Sequence, residues 1–403
     1  MLRLLSERET GQSEPLFLRR AETTRRYFNL ALSKYRDVEE IHKGSINSVD
    51  IDTVENRYLL SGGSHSTIAI HDLQTTNNGM VQTYKHVCQT SDSSNCKYSV
   101  DTVQWYPIDT GMFTTSGADH KLKIWDTNTM KVADHYTFKS RVCDHHMSSI
   151  ARKHCLIAVG CEQSTVKLVD MKSGAATHQL KGHTGSVVAV RWSPRHEFLL
   201  ATGSADSKVL LWDIRTAKGS LLALDQHNRR VSSKSGDVKT AHDGTVNGLQ
   251  FTSDGLFIVT FGTDDRLRLW NASTGRNMLV NFGSVFNSSK RSLKFAISGD
   301  GCPDVLFIPS EGNIQVLDLY QGTHLNTLHG HYNSVNCCAL QKETHYLFSG
   351  GADRNMLVWI PTSETEDYEE NLKDQSRECH SEGSVRKEMT ATVDTWSSDE
   401  DGA

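Results

Sequence analysis

Apolar residues fall in short runs along most of the chain, and each run is closed by a turn signal. Between Gly182 and Arg215 there are three such runs: Val187 to Trp192, Phe198 to Thr202, and Val209 to Trp212. Short stretches of valine, leucine, alanine and aromatic residues bounded by Ser-Pro, Gly-Ser and Ala-Asp pairs read as strands. The unit recurs. Its third run ends at His71-Asp72, Trp125-Asp126, Val169-Asp170, Trp212-Asp213, Trp270-Asn271, Leu317-Asp318 and Trp359-Ile360. Counted on the second residue of each pair, the gaps are 54, 44, 43, 58, 47 and 42 residues. A period of roughly 40–45 residues predicts an all-β ring of seven four-stranded blades, a β-propeller. The ring is expected to span residues 37–361, with insertions after the first and fourth blades.

Residues 1–36 do not follow this pattern. Leu2, Leu4 and Leu5 lie in a short charged segment that stops near Gly11, and Pro15 then opens a second helix capped by Ser13 or Glu14. Phe17, Ala21, Phe28 and Leu32 share one side of that helix, while Arg19, Arg20, Arg25 and Arg26 supply much of its polar surface. The expectation is a helix-loop-helix, either packed on the edge of the ring or docked into a partner. No outer strand is evident after Trp359-Ile360, so Arg36 to Ile41 is expected to close the ring by completing the last blade.

The remaining segments are polar. The insertion Gln226 to Thr240 carries Arg229, Arg230, Lys234 and Lys239, and reads either as a solvated loop or as a contact to an acidic partner or nucleic-acid backbone. Residues 362–403 hold too little apolar surface to fold and are expected to form a disordered acidic tail. Ser397 and Ser398, followed by Asp399, Glu400 and Asp401, either sit in solvating charge or are phosphorylated.

Composition narrows the class. Its 403 residues suffice for two ordinary domains or one large all-β domain, and 37% hydrophobic content with 29 glycines fits a fold rich in tight turns. No run approaches the roughly 20 apolar residues of a membrane helix, so no membrane contact is expected. Met1 to Thr10 is too charged for a secretory signal, which points to the cytosol or nucleus. Nine cysteines without metal-type spacing imply reduced thiols, with the adjacent Cys337 and Cys338 on opposite faces of one strand. The net charge of −5 divides unevenly, −9 on the tail and +4 on the rest. That mild excess does not by itself indicate nucleic-acid binding, and no direct sequence-specific contact with nucleic acid is expected.

The Gly182-His183 opening and the Trp212-Asp213 close of one repeat resemble a WD repeat. In that family a His, a Ser or Thr, an Asp and a Trp form a structural hydrogen-bonded tetrad. His183, Ser204, Asp206 and Trp212 fit it here, and His242, Thr263, Asp265 and Trp270 offer a second set. A catalytic reading of His, Ser and Asp fails on position, because these residues recur inside a blade rather than in an open pocket. His145 and His146, the nearest candidate metal pair, are adjacent in a strand and point opposite ways, so no metal is expected. No nucleotide or cofactor fingerprint is present, and the chain reads as a non-catalytic binding protein.

Trp212-Asp213-Ile214-Arg215 also resembles the Trp-Asp-x-Arg motif of cullin 4 ligase receptors. Leu16 to Arg26, Val103-Gln104-Trp105-Tyr106-Pro107, Asp109 to Thr114 and Phe251 to Leu256 extend the likeness, as do Asp225 to Asn228 and Trp396-Ser397-Ser398. Together they resemble the Cockayne syndrome group A family of WD-repeat substrate receptors over almost the whole chain. That resemblance implies a nuclear subunit of a cullin 4 RING ubiquitin ligase acting in transcription-coupled nucleotide excision repair. It implies docking on the triple-propeller adaptor, the large subunit of the damaged-DNA-binding protein, and through it on cullin 4 and the RING subunit. The adaptor-binding residues would include Leu2, Leu5, Phe17, Arg19, Arg20, Trp212, Asp213 and Arg215. The Cockayne syndrome group B translocase, RNA polymerase II and associated repair factors would be the clients. The rival class is a WD-repeat scaffold for chromatin or RNA-processing partners outside any ligase.

Overall fold

Runs of apolar residues become strands buried on both faces, because each blade is packed between two neighbours. The computed structural model of the chain describes residues 6, 9–11, 14–76, 81–90, 98–216, 219–228 and 239–365. Seven sheets follow one another in sequence, antiparallel except where one N-terminal strand adds to the first, and each is built outward from its first strand. Five have the expected four strands, the first has five and the fifth three. In the fourth, Val187–Trp192, Leu199–Ser204, Val209–Asp213 and Leu222–Ala223 pair in that order. All seven expected repeat ends fall on third strands, including the irregular ones in Thr165–Asp170 and Asn313–Asp318. First strands are mostly buried, and Val187–Trp192 is buried at every position, whereas outer strands such as Lys131–Thr137 face solvent. Among the described residues the apolar core divides into seven clusters, one filling each interface between adjacent blades. Burial at every interface closes the ring without a weak joint. Cys337 and Cys338 take opposite faces as expected, one in the cluster between the last and first blades, the other in the cluster before it.

Closure differs from expectation. The strand that completes the last blade is β1 (Leu30–Leu32), with Leu30 opposite Pro361 and Leu32 opposite Trp359. Arg36 instead begins β2 (Arg36–Val38), which runs parallel to Gln82–Tyr84 on the outer edge of the first blade. The physical reason is burial: Leu30 is 2% exposed in the cluster between the sixth and seventh blades, while Val38 and Tyr84 fill the next one. One N-terminal segment therefore straddles the joint. Part of the insertion expected after the first blade, read as Gln74 to Tyr98, is strand: Gln82–Gln89 pairs with the third strand of that blade.

The helix α1 (Pro15–Phe28) starts where expected, with Glu14 at its N-cap and Pro15 in the first turn. Its buried face is not the apolar stripe. Phe17 and Ala21 are exposed, Leu32 lies in β1, and Thr23, Thr24 and Tyr27 go inward. Thr24 Oγ1 donates to the Arg20 carbonyl at 2.8 Å and accepts the Cys302 amide at 2.7 Å. Tyr27 packs edge-on against Phe307 and His345, with ring centroids 5.9 and 5.3 Å away. Two threonines bury well because their hydroxyls are satisfied, which an apolar count does not register. Residues 362–365 are ordered too, where the tail was expected to begin. The rest of the tail, with Ser397 and Ser398, lies outside the described residues, as do Leu2, Leu5, Arg229, Arg230 and Lys234.

Around the axis the first strands stand side by side, and six of them carry a β-bulge near their start. A bulge re-aims the side chains beyond it. Asp144, just past the third blade's bulge, is fully buried and gathers groups from four other positions around the ring. Arg191 Nη1 lies 2.8 Å from Oδ2, Lys294 Nζ bonds Oδ1, and Thr102 and Ser292 donate at 3.2 Å each. Burial alone would raise the Asp144 pKa, but the two cations outweigh it and hold the carboxyl well below the usual range. Lys294 is pulled down to about 8 by burial and so stays cationic at neutral pH.

Candidate docking face

Strand direction sorts the loops into two faces. In each blade the first-to-second and third-to-fourth connections open at one end, and the second-to-third connections open at the other. Arg215 follows the third strand of the fourth blade. The helix α1 rests on first-to-second connections, bonding Cys302 in the sixth blade and, through Arg26 Nη2, the Thr344 carbonyl in the seventh at 2.9 Å. The helix and Arg215 thus share one face of the ring.

Arg215 is fixed there from three sides. Its Nε reaches Asp213 Oδ1 at 3.0 Å and its Nη2 reaches Oδ2 at 2.7 Å, a bidentate pair. The guanidinium carbon sits 4.9 Å over the Phe198 ring. The Arg215 amide also donates to Asp213 Oδ1 at 3.0 Å, which folds the turn back on the strand end. The side chain remains 63% exposed. Hydrogen bonds from Arg215 hold the Asp213 carboxyl below its ordinary pKa, so the pair stays ionised at neutral pH. A cavity of about 620 Å³ opens beside it, lined by Ile150, Lys153, Phe198, Leu221 and Ala272 as well as Arg215. An exposed planar cation held over an aromatic ring, in a cavity that also holds Lys153, Arg195 and Glu197, suits a protein surface bearing carboxylate or carbonyl oxygens.

Trp212 supports this site from behind without lining it. It is 1% exposed, and its indole N–H donates to Thr202 Oγ1 at 2.8 Å. The tetrad therefore uses Thr202, not Ser204. His183 Nδ1 lies 3.1 Å from Asp206 Oδ2, which leaves Nε2 to accept the Thr202 hydroxyl at 2.8 Å. Burial would raise the Asp206 pKa, but bonds from His183 and the Thr184 amide hold it well below the carboxylate range. Ser204 Oγ accepts the Asp206 amide at 3.2 Å instead. Ser204 and Thr202 lie two apart on one strand and share a face, so spacing alone cannot separate them.

The fifth blade needs the same correction. Its set is His242, Thr260, Asp264 and Trp270, with Thr263 and Asp265 bonding the Thr245 and Asn287 amides. A third set, His331, Ser349, Asp353 and Trp359, escaped the sequence reading. Its signal was present, since Gly330-His331 and Ala352-Asp353 repeat Gly182-His183 and Ala205-Asp206. His145 and His146 separate as expected: the first bonds Thr114 and Ser116, and the second accepts the Trp192 amide at 3.0 Å. Thr202→Val, which removes the hydroxyl shared by His183 and Trp212, should destabilise by about 1–3 kcal/mol. Ser204→Ala should cost less, and equal losses in chemical denaturation would return Ser204 to the tetrad.

Buried His–Ser/Thr–Trp tetrads with an Asp in the adjoining turn, in a seven-bladed ring, define a WD-repeat propeller. The WD domain, G-beta repeat pattern matches residues 174–213, 234–271 and 322–359. Those three stretches end in the three blades whose tetrads are complete. The chain is 32% identical to the WD repeat-containing protein ATCSA-1 of Arabidopsis thaliana, over 91% of this chain and 96% of that protein. It belongs to the WD-repeat family. Radiation-sensitive protein 28 of Saccharomyces cerevisiae is 22% identical over 55% of this chain and 48% of its own length. A ribosome biogenesis protein WDR12 homolog of Aedes aegypti is 33% identical over 33% of this chain and 30% of its own. Propellers of this family are generally non-catalytic scaffolds.

Proposed function

We propose that this chain is the substrate-recognition subunit of a cullin 4-type ubiquitin ligase acting in nuclear transcription-coupled nucleotide excision repair. The observation that carries the reading is the placing of α1 and the braced Arg215 on one face of the ring. That face docks on the triple-propeller adaptor, which brings cullin 4 and the RING subunit. Phe17, Arg19 and Arg20 are exposed on α1 and contribute to the contact, whereas Trp212 acts only by holding the strand that ends in Asp213. The opposite face is left for the group B translocase, RNA polymerase II and associated repair factors. The chain makes and breaks no bonds itself; it raises the local concentration of substrate beside the ligase. Likeness to ATCSA-1 over nearly the full length supports the reading, and the yeast relative's name speaks of radiation sensitivity. Likeness to a ribosome biogenesis protein favours the rival, a scaffold outside any ligase, over about a third of the chain.

Arg215→Glu reverses a fixed charge at the centre of the site and should weaken adaptor binding tenfold or more. Truncation before Pro15 should do likewise, and both variants should unfold at the parent temperature. Full adaptor retention by both variants in a quantitative pull-down would sink the proposal.

A further inference from the structure

A cavity of about 260 Å³ lies on the ring axis, and the first strands of all seven blades line it. Thr53 and Lys342, in first-to-second connections, place its mouth on the face that carries α1. Its wall is rich in hydrogen-bond donors that the protein leaves unused. Arg191 engages Gln250 through Nε at 3.0 Å, and Asp144 and the Val190 carbonyl through Nη1 at 2.8 and 2.6 Å. Its Nη2 then has no partner among the described residues. Gln250 accepts that bond on Oε1, which leaves its amide N–H groups for the cavity. His146 accepts the Trp192 amide on Nδ1, and burial keeps the ring neutral, so Nε2 carries the proton and donates. Lys294 gives one bond to Asp144 and keeps two further N–H groups.

Charge points the same way as the donors. Arg191 and Lys294 share one ionised carboxylate, that of Asp144. The other acid, Asp50, accepts the Trp105 amide at 2.8 Å, and burial pushes its pKa up to about 7. Two buried cations therefore face one full and one partial negative charge at neutral pH, and the exposed Lys342 adds a third cation at the mouth. We propose that this axial cavity binds a small oxyanion of the phosphate class, held by Arg191, Lys294, His146 and Gln250. Its volume falls below the roughly 300–1,000 Å³ of sites for drug-sized ligands, and suits one such ion with a few waters. The Arg191 fork supplies paired N–H groups and Lys294 a compact charge. The ion accepts from the third, fourth, fifth and sixth blades at once, so binding it stabilises the closed ring. Neither Arg215 nor a ligase enters this site, which stands apart from the adaptor reading.

Inorganic phosphate titrated into the full chain tests the site, by calorimetry and thermal unfolding at constant ionic strength in chloride. The parent should bind one phosphate and unfold at a higher temperature in its presence. Gln250→Glu keeps an acceptor for Arg191 Nε while adding a carboxylate to the cavity, and should weaken phosphate binding about tenfold or more. Asp50→Asn can still accept the Trp105 amide but loses the competing charge, and should tighten binding about threefold. Opposite shifts in the two variants support the proposal. Equal affinity in all three chains puts the ion elsewhere, and no binding by any leaves the cavity to water; either result overturns it. Should Gln250→Glu fail to fold, Asp50→Asn decides alone, and unchanged affinity in that chain overturns the site.

Discussion

Asp144→Asn should destabilise the propeller by about 3–5 kcal/mol, the cost of leaving buried charges without their partner. Asn keeps the shape, but its single carbonyl oxygen can take the hydrogen bond from Thr102 or from the Val190 amide and not both, because the two donate to different carboxylate oxygens. It cannot balance Arg191 and Lys294, which meet the carboxylate near the ring axis from the fourth and sixth blades. The loss should therefore be mostly electrostatic, with one buried hydrogen bond lost beside it. Adding Lys294→Met to Asp144→Asn should recover a good part of it by removing one stranded cation. Chemical denaturation of the two variants checks both statements. A single variant as stable as the parent would mean that the axial cluster does not tie the blades together.

Trp212→Ala should cost a similar amount, about 3–5 kcal/mol, for a different reason. The indole is 1% exposed in the cluster between the third and fourth blades and donates to Thr202, so truncation leaves a void and takes one of the bonds from a hydroxyl that keeps His183. Adaptor binding by the folded fraction should fall too, since Asp213 and Arg215 hang from the strand that Trp212 anchors. Arg215→Glu supplies the contrast: it should lose binding and keep stability. A Trp212→Ala chain with parental unfolding would remove the tetrad as the frame of this site.

The ring was legible in the sequence because each blade repeats the same runs at nearly constant spacing. Even Val169 and Leu317, which replace the expected tryptophan, kept their place on third strands. Chemistry at the level of single atoms was less legible. Thr202 and Ser204 both offer a hydroxyl on one face of one strand, and only the distances to His183 and Trp212 choose between them. Asp264 and Asp265 differ by a single step within a tight turn, where Asp265 takes a φ of 57° and Asp264 faces the histidine. The helix misled for another reason. Its contact with the ring rests on Thr23, Thr24 and Tyr27, two of which read as polar surface in an apolar count. Asp144 had no sequence signal at all, because its partners come from blades up to 150 residues away. Arg215 was the opposite case: a four-residue motif named it, and the ring, Phe198 and Asp213 explain why it is rigid.

The shared face of α1 and Arg215 is tested most directly by amide exchange of the full chain with and without the cullin 4 adaptor. The account predicts slowed exchange in two places at once: over Pro15–Phe28, and in the turns around Phe198 and Arg215. Protection confined to the turns that hold Asp206, Asp264 and Asp353, on the opposite face, would contradict it.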